Sequence, residues 1–313
     1  MAVNGGDALS TTFADQPARR PRPAGQFVDR NFKYLMIFPA VLVILLIGLF
    51  PIIYTLAISM QNITMMAEDT SFYGMMQYRE LAADARFWQS LLNTFIILVI
   101  ALPAELLLGL GLAYLLLDRM PGKQVFVSLL VLPVVISPIV AGATWRLMFD
   151  NRFGPINQII GWLTGEPVRI LWTVDPGFVY PAILIAEIWQ WTPFMFLLLL
   201  AALTNVDQSQ LEAAEIDGAG FWRTFANIVL PAIWPVMAIA ILIRALDLFR
   251  LFDVVWALTK GGPGTRTETF SIYAYVLGFQ QFETSYTAAM AFVVIVILAT
   301  TVTFALRRME IDR

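Results

Sequence analysis

Six long apolar stretches, at about 34–60, 89–117, 124–149, 178–204, 229–258 and 286–306, alternate with more polar segments along the chain. Each reaches the ~20 apolar residues that a helix needs to cross a bilayer. None alternates strictly with period two, so the pattern predicts helices and not the strands of a membrane barrel. The expected fold class is all-α: a polytopic membrane protein with about six transmembrane helices. Pro103, Pro133, Pro138, Pro193 and Pro235 fall inside these stretches and predict kinks. Such prolines are tolerated where neighbouring groups re-satisfy the freed carbonyls.

Residues 1–30 are polar, rich in Pro, Gly and Ala, and basic towards their end (Arg19, Arg20, Arg22, Arg30). They cannot bury a core and are expected to form a mobile tail ahead of a transmembrane domain at 31–313. A signal peptide would set a short basic region directly before a short apolar run. Here the tail is long and the first apolar run has full-span length, so the segment is expected to stay and anchor.

Composition agrees with a chain solvated by lipid. Hydrophobic residues make up 59% and charged residues 14%, with a mean hydropathy of +0.73; soluble domains carry ~25% charged residues. The absence of Cys and His removes disulfide scaffolds, thiol chemistry, His-dependent metal sites and Ser–His or Cys–His catalytic pairs. A net charge of −3 gives no reason to expect nucleic-acid binding.

Basic residues near the span ends set orientation. Lys33 and the tail arginines, Arg119, Lys123, Arg307, Arg308 and Arg313 all fall on one face if there are six spans. That face also receives the 205–228 loop, and it is expected to be cytoplasmic together with both termini. The longer loops at 61–88, 150–177 and 259–285 fall on the opposite face.

The segment 205–231, NVDQSQLEAAEIDGAGFWRTFANIVLP, predicts a short helix, a glycine turn and a second helix entering the fifth span. Ser209 followed by Glu212 matches a capping box, with Asp207 as an alternative cap. Gly218 stands where a helix ends in a left-handed turn. A stiff elbow of this kind can pass a rigid-body push to the spans it joins. Ala213, Ala214 and Gly218 allow close approach of a partner, and Glu212 and Asp217 offer it charges.

Glu212-Ala213-Ala214, Gly218 six residues after the glutamate, and Ile228-x-Leu230-Pro231 resemble the coupling loop of ABC importer permeases. The likeness extends over about residues 30–310. Trp145 with Gly154-x-x-Asn157, Arg250-x-x-Asp253, and Leu258-Thr259 running into Gly261-Gly262-Pro263 look like carbohydrate permeases of the maltose and glycerol-phosphate type, in the subunit named first of a heteromeric pair. The resemblance implies a type I ABC importer permease fold with a cytoplasmic coupling helix, in a bacterial inner membrane. It implies a second permease as pseudo-twofold partner, two cytoplasmic ATPase subunits that bind ATP and Mg, an extracytoplasmic solute-binding protein and a carbohydrate solute. No Gly-x-x-x-x-Gly-Lys-Ser/Thr occurs in the chain. Without that phosphate nest and lysine, neither cofactor binding nor catalysis is expected of this subunit itself.

Arg244, Asp247, Arg250 and Asp253 recur at intervals of three in the fifth stretch. Four such charges facing lipid would cost on the order of 10 kcal/mol. They are expected to face the bundle, some lining a polar solute path and others locking helices as ion pairs. Glu187, Gln190 and Trp191 form a second polar cluster before Pro193, with the carboxylate, amide and aromatic face that suit a sugar. Trp189 and Trp191 also suit an interfacial belt, and Asn93 suits an interhelical hydrogen bond. The Gly- and Thr-rich stretch 259–270 reads as a flexible turn able to reach a docked binding protein. The alternatives to a sugar importer are an ABC permease for a polyamine or amino acid, an ion-coupled secondary transporter or channel, and, less favoured, an intramembrane enzyme.

Overall fold

The structure is a computed structural model describing residues 23–64, 71–118 and 120–311. Its contacts divide the chain into two units, one ending at Tyr54 and the other starting at Thr55. From the first, α1 (Pro23–Ile44) continues through a π-helical segment, Leu45–Leu49, into α2 (Phe50–Ser59), which runs past Tyr54 into the second. The stretch Phe32–Ser59 is long and apolar enough to cross a membrane. The polar segment 1–30 lies outside the described residues up to residue 22. From Pro23 onward the chain is helical, so the first helix begins within the expected tail.

The second unit contains α3 (Met76–Ala83), α4 (Ala85–Leu115), α5 (Lys123–Val135), α6 (Pro138–Met148), α7 (Pro155–Thr164) and α8 (Val179–Thr204). It continues with α9 (Gln208–Ile216), α10 (Phe221–Thr224), α11 (Leu230–Phe249), α12 (Asp253–Leu258), α13 (Phe270–Tyr275) and α14 (Thr284–Ile311). No strand longer than an isolated bridge between Gln61 and Phe72 occurs among the described residues. Among the described residues five helices are long and apolar enough to span a membrane, and a sixth span arises if α5 and α6 are taken together.

Two expected spans are broken. α5 and α6 meet at 99° because Ile136 and Ser137 adopt extended backbone ahead of Pro138, whose ring disfavours a helical residue before it. The fifth stretch is not one helix to residue 258: α11 stops at Phe249, and Asp253 opens α12. There its carboxylate faces the positive end of the helix dipole. The carbonyl of Leu251, freed by the break, accepts a hydrogen bond from Thr269 Oγ1 at 2.8 Å.

The central pair is α4 against α8. Gly109 makes their approach possible: a Cβ there would stand 2.7 Å from Met195 Cβ and 2.9 Å from the Phe196 backbone nitrogen. Close backbone approach at small residues is how helices associate in lipid, where there is no hydrophobic force between them.

Two apolar cores follow each other along this pair. One joins Ile97 and Ala101 of α4, Ala182 and Ala186 of α8, Leu248 of α11, and Trp145, Phe149 and Trp172. The other joins Ala113 of α4, Met195, Phe196 and Leu199 of α8, and Ile233, Met237 and Ala240 of α11. On all three helices the positions between these cores carry charge: Glu105, Glu187 and Arg244.

The 259–270 turn is strapped to the bundle, contrary to its expected flexibility. Asn93 Nδ2 donates to the carbonyls of Thr265 and Glu268 at 3.1 and 2.9 Å. Arg86 grips the Glu268 carboxylate through Nε and Nη2 at 2.7 and 2.8 Å. Thr267, Glu268 and Thr269 are buried. Asn93 Oδ1 also accepts from the Tyr180 hydroxyl of α8 at 2.9 Å, in line with the expected interhelical bond.

Candidate solute path and coupling elbow

Arg244 is the largest fully buried side chain described. Its Nε and Nη2 reach Glu105 Oε2 and Oε1 at 2.9 and 2.8 Å, and Nη2 also reaches Glu187 Oε1 at 3.0 Å. Its charge centre sits 4.4 Å from the centroid of the Trp191 ring. Planar, two-pronged pairing of this kind is what a guanidinium supplies and an ammonium does not. Glu105 had no place among the sequence candidates. It is the only charged residue in the apolar 89–117 stretch and meets Arg244 of α11 only after folding, so it gave no local pattern to read.

Asp247 Oδ2 lies 3.8 Å from Arg244 Nη1, and Asp247 Oδ1 accepts from Arg250 Nη2. Arg244, Asp247 and Arg250 therefore pair in sequence at the end of α11. Asp253 stands apart on α12 and makes no ion pair among the described residues. A cavity of about 270 Å³ is lined by Pro138, Glu187, Trp191, Arg244, Asp247, Arg250, Leu251, Phe252 and Asp253. Six of the seven candidate path residues thus share one cavity. Gln190 does not line it. Its Nε2 donates instead to the Ile136 carbonyl at 2.9 Å, satisfying backbone freed at the α5–α6 break. Trp189 packs edge-on against Trp145, with ring centroids 5.6 Å apart.

The elbow between α8 and α11 is built as a stiff piece. Asp207, not Ser209, caps α9: its Oδ1 accepts from the Ser209 backbone nitrogen at 2.9 Å and from the Ser209 hydroxyl at 2.8 Å. Those bonds hold the Asp207 carboxyl below the ordinary carboxylate range. The Ser209–Glu212 capping box is replaced because the chain turns helical two residues earlier than that box requires. At the other end Gly218 has φ +69°, and the Ala219 N–H closes on the Ala214 carbonyl at 2.9 Å. That is the Schellman closure, which glycine permits without strain.

Ala214 and Leu211 turn inward, Leu211 packing into the second core. Glu212, Ala213, Asp217 and Gly218 are exposed, as are Ile216 and Trp222 at 86% and 77%. Tyr114 of α4 stacks edge-on with Phe221 and Phe225 at 5.8 and 5.9 Å, tying the elbow to the central pair. The helix then widens into π turns at Phe225–Val229 before Leu230 and Pro231. Pro231 has no N–H to offer and its ring crowds the preceding turn, so a widened turn there is the expected adjustment. Ile228 is half-buried and Pro231 exposed.

Of the remaining motif residues, Asn157 accepts from Trp172 Nε1 at 2.9 Å and donates to the Ile170 carbonyl at 3.0 Å. It pins the 150–177 loop to the first core.

Residues 81–310 match the family described as binding-protein-dependent transport system inner membrane component. The chain is 35% identical over 250 residues to the trehalose/maltose transport system permease protein MalF of Thermococcus litoralis, covering 80% of this chain and 84% of that one. It is 33% identical over 281 residues to the lactose transport system permease protein LacF of Rhizobium radiobacter, covering 88% and 92%. A crystal structure of a bacterial ABC transporter involved in alginate import has the same fold, with a TM-score of 0.76 at 22% identity over 92% of this chain and 98% of that one. The breadth of these matches over α4 to α14, which carry both the charge cluster and the elbow, places the chain: it belongs to the inner membrane components of binding-protein-dependent transport systems.

Proposed function

We propose that this chain is one of two permease subunits of an ATP-driven sugar importer. A pair of separate ATPase subunits drives it from the cytoplasm, and a solute-binding protein delivers to its outer face. Both termini and the elbow lie on the cytoplasmic side, where the basic residues cluster. The sugar class is supported by relatives whose names specify trehalose, maltose and lactose.

The observation that carries the reading is mechanical. α8 bears Glu187 and runs into the elbow, while α11 bears Arg244 and leaves it. A rigid push on the exposed face of α9 therefore acts on the two helices whose side chains meet beside the cavity. Tight packing between them gives discrete arrangements and not a smooth yielding, which is what alternating access needs. The cavity, at about 270 Å³, is smaller than the ~300–1,000 Å³ of complete ligand pockets. That suits a half-site completed by the partner permease.

The chain has no Cys, so Ile216→Cys introduces a unique thiol on the exposed face of α9. In the assembled importer this position is expected to cross-link to an ATPase subunit, and ATP is expected to drive sugar uptake. Failure of every exposed α9 position to cross-link to a nucleotide-hydrolysing subunit would overturn the assignment.

A further inference from the structure

We propose that the cavity beside Arg244 accepts neutral or amine-bearing sugars and excludes sugars that carry a carboxylate or other anionic group. The proposal rests on the importer reading above and adds the chemical class of its solute.

Two arginines line the cavity, which at first sight suits an anion. Both guanidiniums are already ion-paired. Arg244 is held on two edges by Glu105 and Glu187, and Arg250 is held by Asp247. Across the cavity and the residues bonded to its wall, Glu105, Glu187, Asp247 and Asp253 stand against Arg244 and Arg250 alone. Anions entering here would meet an excess of negative charge, four carboxylates against two guanidiniums that are already paired.

The buried group left unpartnered in the cavity wall is an acceptor. Glu187 is only 1% exposed and lines the cavity, yet its Oε2 has no hydrogen-bond partner while Oε1 takes Arg244. A buried acceptor left unmet is costly, and a ligand that brings a donor relieves that cost. Asp253, on the exposed rim of the same cavity, makes no ion pair among the described residues. Hydroxyl or ammonium groups satisfy both carboxylates, whereas a carboxylate satisfies neither and is repelled. Trp191 in the same wall offers its ring to the C–H surface of a sugar. Selection by unpaired acceptors is stronger than selection by shape, because the wrong ligand leaves them unpaired.

Glucose, glucosamine and glucuronate are nearly equal in shape and differ in charge. Their binding is to be measured by saturation-transfer NMR on the intact importer in nanodiscs, nucleotide-free and without the binding protein. Glucose and glucosamine are expected to bind and compete with each other, with glucuronate weaker by about tenfold or more, from like-charge repulsion at close range. Glu187→Gln or Asp253→Asn is expected to shrink that gap several-fold. Asp253 is on the exposed rim, so its variant does not threaten folding. Equal or tighter binding of glucuronate, no binding of any of the three, or a gap unmoved by both variants would overturn the proposal. ATPase activity of the same importer, stimulated by its binding protein, separates the two readings: intact stimulation leaves the importer standing when the charge selection fails, and absent stimulation removes both.

Discussion

Arg244 on α11 and Glu105 on α4 form a two-pronged ion pair at 2.8 and 2.9 Å between two apolar cores, with both side chains at most 1% exposed. Removing one partner of such a pair strands a buried charge, which costs about 3–5 kcal/mol. Arg244→Ala is therefore expected to destabilise the chain by that amount, read as a large fall in thermal midpoint by circular dichroism in detergent. Arg250→Ala is the control, since that side chain is 78% exposed and its pair lies in high dielectric. Equal shifts for the two variants would deny the buried pair its structural role.

The two carboxylates around Arg244 do different work. Glu105 spends both oxygens on the guanidinium, while Glu187 spends one. Glu105→Gln is expected to lower stability more than Glu187→Gln, by about 1–3 kcal/mol, the difference between losing a charged two-point contact and losing a single one. Glu187→Gln is expected to weigh more on transport than on the thermal midpoint. Comparing both variants by unfolding and by uptake tests the split, and the reverse order in both measurements would refute it.

Asp84 links three helices at the start of α4. Its Oδ1 accepts from the Arg86 backbone nitrogen at 2.8 Å, and its Oδ2 accepts from the Tyr273 and Tyr286 hydroxyls at 2.6 and 2.7 Å. Partial burial alone would raise its carboxyl. The two hydroxyls, with the backbone N–H groups of Phe87 and Arg86, outweigh burial and leave it below the ordinary 3.8. Burial, and then the bond to Asp84, pushes the Tyr273 hydroxyl up, so it stays a donor throughout the working range. Because the folded carboxyl is the stronger acid, its contribution is complete above the unfolded value near 3.8 and is lost as pH falls through the lower folded value. Asp84→Asn is expected to cost about 1–2 kcal/mol at neutral pH. It is also expected to flatten the part of the acid destabilisation below pH ~4 that Asp84 contributes. An unchanged acid limb in the variant would remove Asp84 as its source.

The spans and the elbow were legible because their signals are local. Apolar length gives a span, and Asp207, Gly218 and the small residues between them describe a short capped helix within a dozen positions. The charges of α11 were legible as a group for the same reason. Their principal partner was not: Glu105 lies 139 positions from Arg244, and nothing in the apolar text around it marks which helix it will meet. The helix break before Asp253 was hidden likewise, since the hydrogen bond that stabilises it comes from Thr269, 18 positions away. The same distance effect disguised the 259–270 turn, whose glycines and threonines suggest freedom while Asn93 and Arg86, from another helix, hold it.

Gly218 allows the elbow to be tested without touching the cavity. Its φ of +69° is closed to proline, whose ring fixes φ near −65°. Proline would also remove the N–H that bonds the Glu215 carbonyl at 3.0 Å. Gly218→Pro is therefore expected to unwind the end of α9 and loosen the link between α8 and α11, while the spans, whose cores lie elsewhere, remain inserted. Gly218→Ala supplies the milder step: a Cβ there meets open space, leaving only the ~1 kcal/mol backbone penalty of a left-handed non-glycine residue. Glu212→Lys reverses an exposed charge on the same helix without disturbing its fold. The expected order is near-normal uptake for Gly218→Ala and loss of uptake for Gly218→Pro and Glu212→Lys, all three at wild-type membrane levels by immunoblot. ATP hydrolysis no longer stimulated by the binding protein in the two inactive variants would show that the break is in transmission. Full uptake by Gly218→Pro would mean that the push enters this protein somewhere other than the elbow.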